Sequence, residues 1–293
     1  MGYELWTSPI TGYRRHGTRL RDLNEALGQK IQANAIAEPL KSCPALALAE
    51  HIAPLLRDLD FDVAGVRASE KSPVLGYVRR TDLESGRVQD HIQVIDEQRI
   101  VEPTTALPEL LDRLSGAPFI FVRSDNGITG ILTLADLNKP IVRTYFFGLI
   151  SLLEIHLGYW ASAQYPNETW RDAISKERLA ATISRQEERH RRGQQLSLFQ
   201  CLDFGDKKTL TSKSKILRQL LALNSRNKAE SFLGDAETLR NSLAHSQYDL
   251  VGGGSWHSLI ALVQRIEATI ALSDVAVEAR AVELASLDIG ALW

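Results

Sequence analysis

The chain has 293 residues, 44% hydrophobic and 24% charged, enough to bury two ordinary cores and too apolar for a disordered polypeptide. Its formal net charge of -2 excludes a general electrostatic drive toward nucleic acid and leaves only local basic patches. Two cysteines, Cys43 and Cys201, lie far apart, match no metal-ligand spacing and fit a reducing, cytoplasmic compartment.

The opening MGYELWTSPITGYRR lacks the apolar core of a secretory signal. Residues 18–39 carry Leu20, Leu23, Leu27 and Ile31 at helical spacing, with Pro39 as a limit. PALALAEHIAPLLRDLD, 44–60, predicts a second helix, in which Pro54 either makes a kink or opens a new first turn. FDVAGVRA and SPVLGYVRR then read as two strands around a turn, and TDLESG opens a short helix. The order recurs. TTALPELLDRLSG is a helix with Thr104 or Thr105 as its cap, APFIFVRS and ITGILTL are strands around a DNG turn, and ADLNKP leads into a helix. One pattern aligns the two passages: a glycine, two apolar residues and an Asp six places on. It spans Gly76 to Asp82 and returns 54 residues later from Gly130 to Asp136. A repeated helix-strand-strand-helix order argues for a pseudo-twofold pair.

From Pro140 onward the alternating strand pattern vanishes. IVRTYFFGLISLLEIHLGYWASAQ is one long apolar helix, ended by YPN. Glu154 and His156 in its middle mark a buried helix of a soluble domain, with no membrane partner expected. Residues 168–190 continue as a helix and end in the basic cluster RHRRG. KSKILRQLLALNS is amphipathic, KAESFLG is a short piece, and DAETLRNSLAHSQ is a helix with Asp235 as its N-cap. A glycine run at 252–254 precedes a last long helix from Trp256. The fold class is therefore α+β in two domains. Residues 1–140 form an α/β pair of repeats with an N-terminal arm, and 141–293 form an all-α bundle. DLNKPIVRTYFFGLI joins them without a flexible linker, which predicts mechanical coupling.

The repeats resemble a tandem pair of CBS domains, the cystathionine-beta-synthase type regulatory module. The resemblance implies two units packed sheet to sheet, with clefts that take adenine nucleotides (AMP, ADP or ATP) as regulatory ligands. It assigns phosphate and ribose contacts to a hydroxyl residue and an aspartate, here Thr133 and Asp136. The first repeat keeps Asp82 but has Arg79 at the hydroxyl position, which suits a more anionic ligand. The physical basis is that a carboxylate accepts both hydrogen bonds of a ribose diol, while a hydroxyl or a cation serves phosphate. An equal competitor is that Asp82 and Asp136 only cap the turns that follow them.

Within RNSLAHSQ, Asn241 and His245 are four apart on one helical face, and the long Arg240 side chain curls toward the same edge. Arg, a polar residue, three more and His is similar to the signature of HEPN domains. These are helical bundles that dimerise with two motifs facing each other, and many cut RNA without a metal. The resemblance implies His245 as general acid and base, Arg240 as phosphate holder, Asn241 as orienting amide, and a homodimer that supplies the second histidine. Glu154, paired with Arg143 or Arg240, is either a structural carboxylate of the bundle or dimer interface or a supporting carboxylate for Arg240 and His245. No cysteine, histidine or acidic cluster calls for a catalytic metal. The expected protein is a nucleotide-regulated endoribonuclease acting on single-stranded RNA, of the kind associated with stress response or phage defence. The alternative is a non-catalytic, dimeric nucleotide-sensing scaffold, in which the same residues are contacts. A transcription regulator ranks third, for want of a helix-turn-helix or basic domain.

Overall fold

The computed structural model describes residues 4–8, 13–245, 249–251 and 254–285. It separates into two units, Gly28–Val142 and Met1–Leu27 with Arg143–Trp293. The N-terminal arm thus groups with the helical residues, where the sequence reading attached it to the repeats.

The arm contains β1 (Trp6–Ser8), β2 (Tyr13–Arg14) and α1 (Leu20–Leu23), which widens into a π-helical turn over Asn24–Gly28. The single helix expected over 18–39 is therefore broken, and Gln32 is extended because it bridges Ala106.

The mixed unit runs α2 (Ala33–Ile36), β3 (Glu38–Pro39), β4 (Ser42–Pro44), α3 (Ala49–Asp58), β5 (Val63–Arg67), β6 (Val74–Arg79), β7 (Ile100–Val101), α4 (Leu107–Ser115), β8 (Phe119–Ser124) and β9 (Gly127–Thr133). One sheet has the order β4-β5-β6 and the other β3-β9-β8-β7. Each half is a short strand, a helix and a hairpin, with the first strand parallel to the second. Both hairpins shift register at the same place, between Val66 and Arg67 and between Val122 and Arg123. The helix expected at TDLESG is only a 3-10 turn, Arg80–Asp82, whereas ADLNKP forms a 3-10 turn, Leu134–Asn138, that leads into the helix Pro140–Gln164. α4 starts after Ala106 rather than on a threonine cap, and Thr105 instead accepts from the Glu102 amide at 3.1 Å.

The halves exchange their lead-in segments. Glu38 and Pro39, before the first repeat, pair with β9 of the second, and Gln93, before the second, pairs with Tyr77 on β6 of the first. The helix starts are held the same way. Ala49 N–H donates to the Gly86 carbonyl at 2.9 Å, and its counterpart Leu107 N–H donates to the Ile31 carbonyl at 2.8 Å. Val88 N–H to the Ala47 carbonyl is matched by Ala33 N–H to the Thr105 carbonyl, both at 2.9 Å. The pairings of Gln93 with β6 and of Glu38 and Pro39 with β9 occupy strand edges that would otherwise expose unpaired amides. Tyr77, Phe119 and Phe121 meet with ring centroids 5.3–5.6 Å apart and join the two sheets.

The helical residues form α5 (Pro140–Gln164), α6 (Lys176–Arg191), α7 (Phe204–Lys213), α8 (Lys215–Leu220), α9 (Arg226–Ala244) and α10 (Trp256–Ala285). α5 is long and apolar enough to cross a membrane, but half of its most apolar window is buried within the protein. Left-handed Asn167 and Glu168 interrupt the 3-10 run Pro166–Ala173 that follows it, and Ile174 and Ser175 are extended, so 168–190 is not one helix and α6 starts afresh on the Ser175 cap. α8 is shorter than its sequence pattern because Ala222 and Asn224 adopt positive φ. α9 is capped by Ser225 and runs unbroken through Gly234 and Asp235, so Asp235 is not an N-cap. Phe232, Leu233, Ala236 and Leu239 repeat at helical spacing and are buried, which carries the helix across that glycine.

A buried polar cluster ties the arm to α5 and α10. Arg14 pairs with Asp274 and Glu278. His156, 1% exposed, bonds through Nδ1 to Ser273 Oγ at 2.6 Å and through Nε2 to the Thr18 carbonyl at 3.1 Å. Trp160 Nε1 donates to the same serine at 2.7 Å. Burial depresses the His156 pKa from 6.5 to about 4, although Asp274 opposes the shift.

Two predictions follow from this packing. His156 is neutral in the fold but protonates near 6.5 when unfolded, so its contribution is present above pH 6.5 and is lost as pH falls toward 4. The loss is up to about 3 kcal/mol. A wild-type Tm that falls no more steeply across this interval than that of His156→Gln would refute the assignment. Separately, a Cβ on Gly76 would lie 2.5 Å from the Gln93 carbonyl oxygen, whereas one on Gly130 meets nothing nearer than 3.2 Å. Gly76→Ala should cost about 2 kcal/mol or more, and Gly130→Ala less, in denaturant titrations.

Candidate functional site

The repeated motif ends at two strand ends that are chemically different. In the second repeat, Asp136 accepts from the Thr133 amide at 2.7 Å and from the Thr133 hydroxyl at 2.9 Å through one oxygen. Its other oxygen lies 3.0 Å from Lys139 Nζ, which also donates to the Ile36 carbonyl and pairs with Glu38. Burial works against the Lys139 ammonium, but Glu38 and Asp136 outweigh it and raise the pKa. Asp136 is 7% exposed and engaged on both oxygens. It caps the 3-10 turn and latches the lead-in segment, which is the capping alternative weighed from sequence.

The first repeat is organised otherwise. Asp82 is half-buried and accepts from Gln93 Nε2 at 2.6 Å and from the Thr81 hydroxyl at 3.0 Å. Arg79 holds the position of Thr133, but its guanidinium lies over the Phe119 ring, 5.5 Å from the centroid. Arg99 approaches the same ring at 5.5 Å. Arg79 and Asp82 thus come together with two residues that sequence reading missed. The alternation on β6 puts Tyr77 and Arg79 on one face, a signal that was present. Nothing local announces Arg99 or Phe119.

The α9 motif lies in the helical unit. Asn241 and His245 are exposed and Arg240 is half-buried. Arg240 Nη1 donates to Asn241 Oδ1 at 3.2 Å. His245 is the C-cap residue of α9, and its amide bonds to the Asn241 carbonyl at 3.0 Å. Ser246 and Gln247, the end of the motif, lie outside the described residues. Glu154 does not pair with Arg143 or Arg240. It bonds Lys207 on α7 at 2.8 Å, while the adjacent Lys208 bonds Glu237 on α9 at 2.5 Å. Neighbouring lysines on α7 thus clasp α5 and α9, and the carboxylate serves the bundle. The basic cluster at the end of α6 is partly spent as well. Arg185 pairs with buried Asp206 at 2.9 Å and Arg192 with Glu188 at 2.5 Å. An open depression of about 550 Å³, lined by Asn224, Asn227, Lys228 and Arg265 among others, sits at the opposite end of α9 from His245. Among the described residues no group of three or more His, Cys, Asp or Glu is placed to hold a metal ion.

No protein-family model matches the chain. No curated protein matches it either. Solved structures do match, and the mixed α/β unit resembles CBS-domain proteins among them. A CBS domain of a bacterial CNNM/CorC family Mg2+ transporter is 19% identical, covering 42% of this chain and 82% of that one at a TM-score of 0.34. A complex of CbpB with c-di-AMP is 16% identical, covering 40% and 88% at 0.34. An uncharacterised conserved protein from Pyrococcus horikoshii is 17% identical, covering 37% and 90% at 0.33.

The two aspartates should respond differently to removal. Asp136→Ala takes a cap and one of the two carboxylates of Lys139, and should destabilise by about 1–3 kcal/mol. Asp82→Ala loses a more exposed contact and should cost under about 1 kcal/mol. Equal losses in urea titrations would contradict this division of roles.

Proposed function

We propose that the chain is a nucleotide-sensing signalling protein, in which a CBS-type repeat unit binds an adenine nucleotide and the helical unit is a dimerising effector. The observation that supports it is the pair of equivalent strand ends, Arg79 with Asp82 and Thr133 with Asp136, related by the exchanged lead-in segments. Both aspartates are hydrogen-bonded within the fold, but Asp136 is buried and also paired with Lys139, whereas Asp82 is more exposed and bonded only by the neutral Gln93 and Thr81 side chains, so the first strand end is the better ligand position. Asp82 there would accept a ribose diol, and Arg79 would meet phosphate. A ligand coupled to the effector must bind two arrangements of the protein unequally. Isothermal titration of the full chain with AMP and ATP tests the reading. Binding should be measurable and should weaken about tenfold in Asp82→Asn, the equivalent of about 1.4 kcal/mol. Absence of binding by either nucleotide would remove the sensor reading.

A second reading, metal-independent cleavage of single-stranded RNA, is favoured by the open position of Asn241 and His245 and by the Arg240 bond that orients the amide. A histidine there would take the 2'-hydroxyl proton and a second His245, from a dimer, would protonate the leaving 5'-oxygen. Arg240 would hold the scissile phosphate. The prediction is chelator-resistant cleavage leaving a 2',3'-cyclic phosphate, reduced at least about 100-fold in His245→Ala. Identical product patterns from wild type and variant would leave the motif as a contact surface of a scaffold.

A further inference from the structure

The first strand end holds more positive charge than the fold uses. Arg79 and Arg99 each lie 5.5 Å from the centre of one ring, Phe119, and therefore within twice that distance of each other. Both are half-buried, and neither forms an ion pair with a carboxylate among the described residues. Arg79 Nε is buried without a hydrogen-bond partner. Arg99 Nη1 has only a long 3.5 Å approach to the Tyr77 hydroxyl. A ring face offsets part of the cost of holding a cation out of water. It does not satisfy the guanidinium N–H groups, and two cations on one ring repel.

The equivalent place at the other strand end shows that this charge is not demanded by the architecture. The strand registers make Val63 the counterpart of Phe119, Thr133 that of Arg79 and Lys41 that of Arg99. Thr133 is satisfied by Asp136, Lys41 is exposed, and no aromatic ring lies at Val63. The same backbone is thus built at the other strand end without a paired cation site.

We infer that Arg79 and Arg99, seated on Phe119, form a subsite for two linked phosphates, so that the ligand is a nucleoside di- or triphosphate rather than a monophosphate. Guanidinium groups present parallel N–H donors that match phosphate oxygens, and two of them match the charge of a diphosphate. Asp82, three residues past Arg79, is left for the sugar. The inference rests on the nucleotide reading above and sharpens it to a ligand class.

The test is calorimetric titration of the full chain with AMP, ADP, ATP and inorganic pyrophosphate, for wild type, Arg79→Gln and Arg99→Gln. ADP and ATP should bind wild type at least about tenfold more tightly than AMP, as an added charge-assisted pair would give. Pyrophosphate should compete with them. Arg99→Gln should close the gap while leaving AMP affinity within about twofold. The wild-type series needs no variant to fold. AMP binding as tightly as ADP would overturn the subsite and leave the nucleotide reading standing. Pyrophosphate binding that is lost in Arg99→Gln, with no gain from an adenosine moiety, would keep the subsite and overturn the nucleotide reading. Silence from all four ligands would overturn both.

Discussion

Each half of the mixed unit is an incomplete sheet. A three-element repeat of strand, helix and hairpin leaves its last strand with an open edge, and an open edge is a row of amides without acceptors. The chain closes both edges by exchanging the segments that lead into the repeats, so that β9 is bordered by Glu38 and Pro39 and β6 by Gln93. The aromatic trio of Tyr77, Phe119 and Phe121 joins the same two sheets through their side chains. The strand ends where Asp82 and Asp136 sit inherit their equivalence from the same constraint.

Equivalence of backbone has been put to unequal use. At one strand end the polar groups neutralise one another: threonine to aspartate, aspartate to lysine, lysine to glutamate. At the other, Arg79 and Arg99 lie over one aromatic ring and form no ion pair among the described residues. A duplicated fold can let one of two equivalent strand ends carry structure and free the other to carry charge, and the hydrogen bonds of this unit divide along that line.

Much of the architecture was legible in the sequence, for identifiable reasons. Gly76 and Gly130 repeat because backbone passes close to each of them, and a motif anchored on such glycines survives as a visible pattern. The long apolar runs of α5 and α10 were equally plain. The lead-in strands were not, since two residues carry no periodicity. α8 was overestimated because left-handed Ala222 and Asn224 have none of the usual glycine signature. α9 was cut at Gly234 and Asp235, where local propensity suggested a boundary but buried neighbours carry the helix through. At the sites, residues on one strand or one helix could be grouped from spacing, as with Arg79 and Asp82 or Asn241 and His245. Partners brought from elsewhere could not: Lys207 for Glu154, and Phe119 and Arg99 for Arg79.

The exchanged segments also make a symmetric object asymmetric in time. Gln93 follows its partner Tyr77 by 16 residues, whereas Ile131 follows Glu38 by 93. Closing the longer loop costs roughly 1.5 kcal/mol more in chain entropy by simple loop scaling. During synthesis, the first half has every strand it needs once Gln93 has emerged. The second half must recover a segment made long before, which has stayed unpaired until β9 appears. Two halves of nearly the same form are therefore reached by one local closure and one distant closure, and the distant one carries the larger entropic cost.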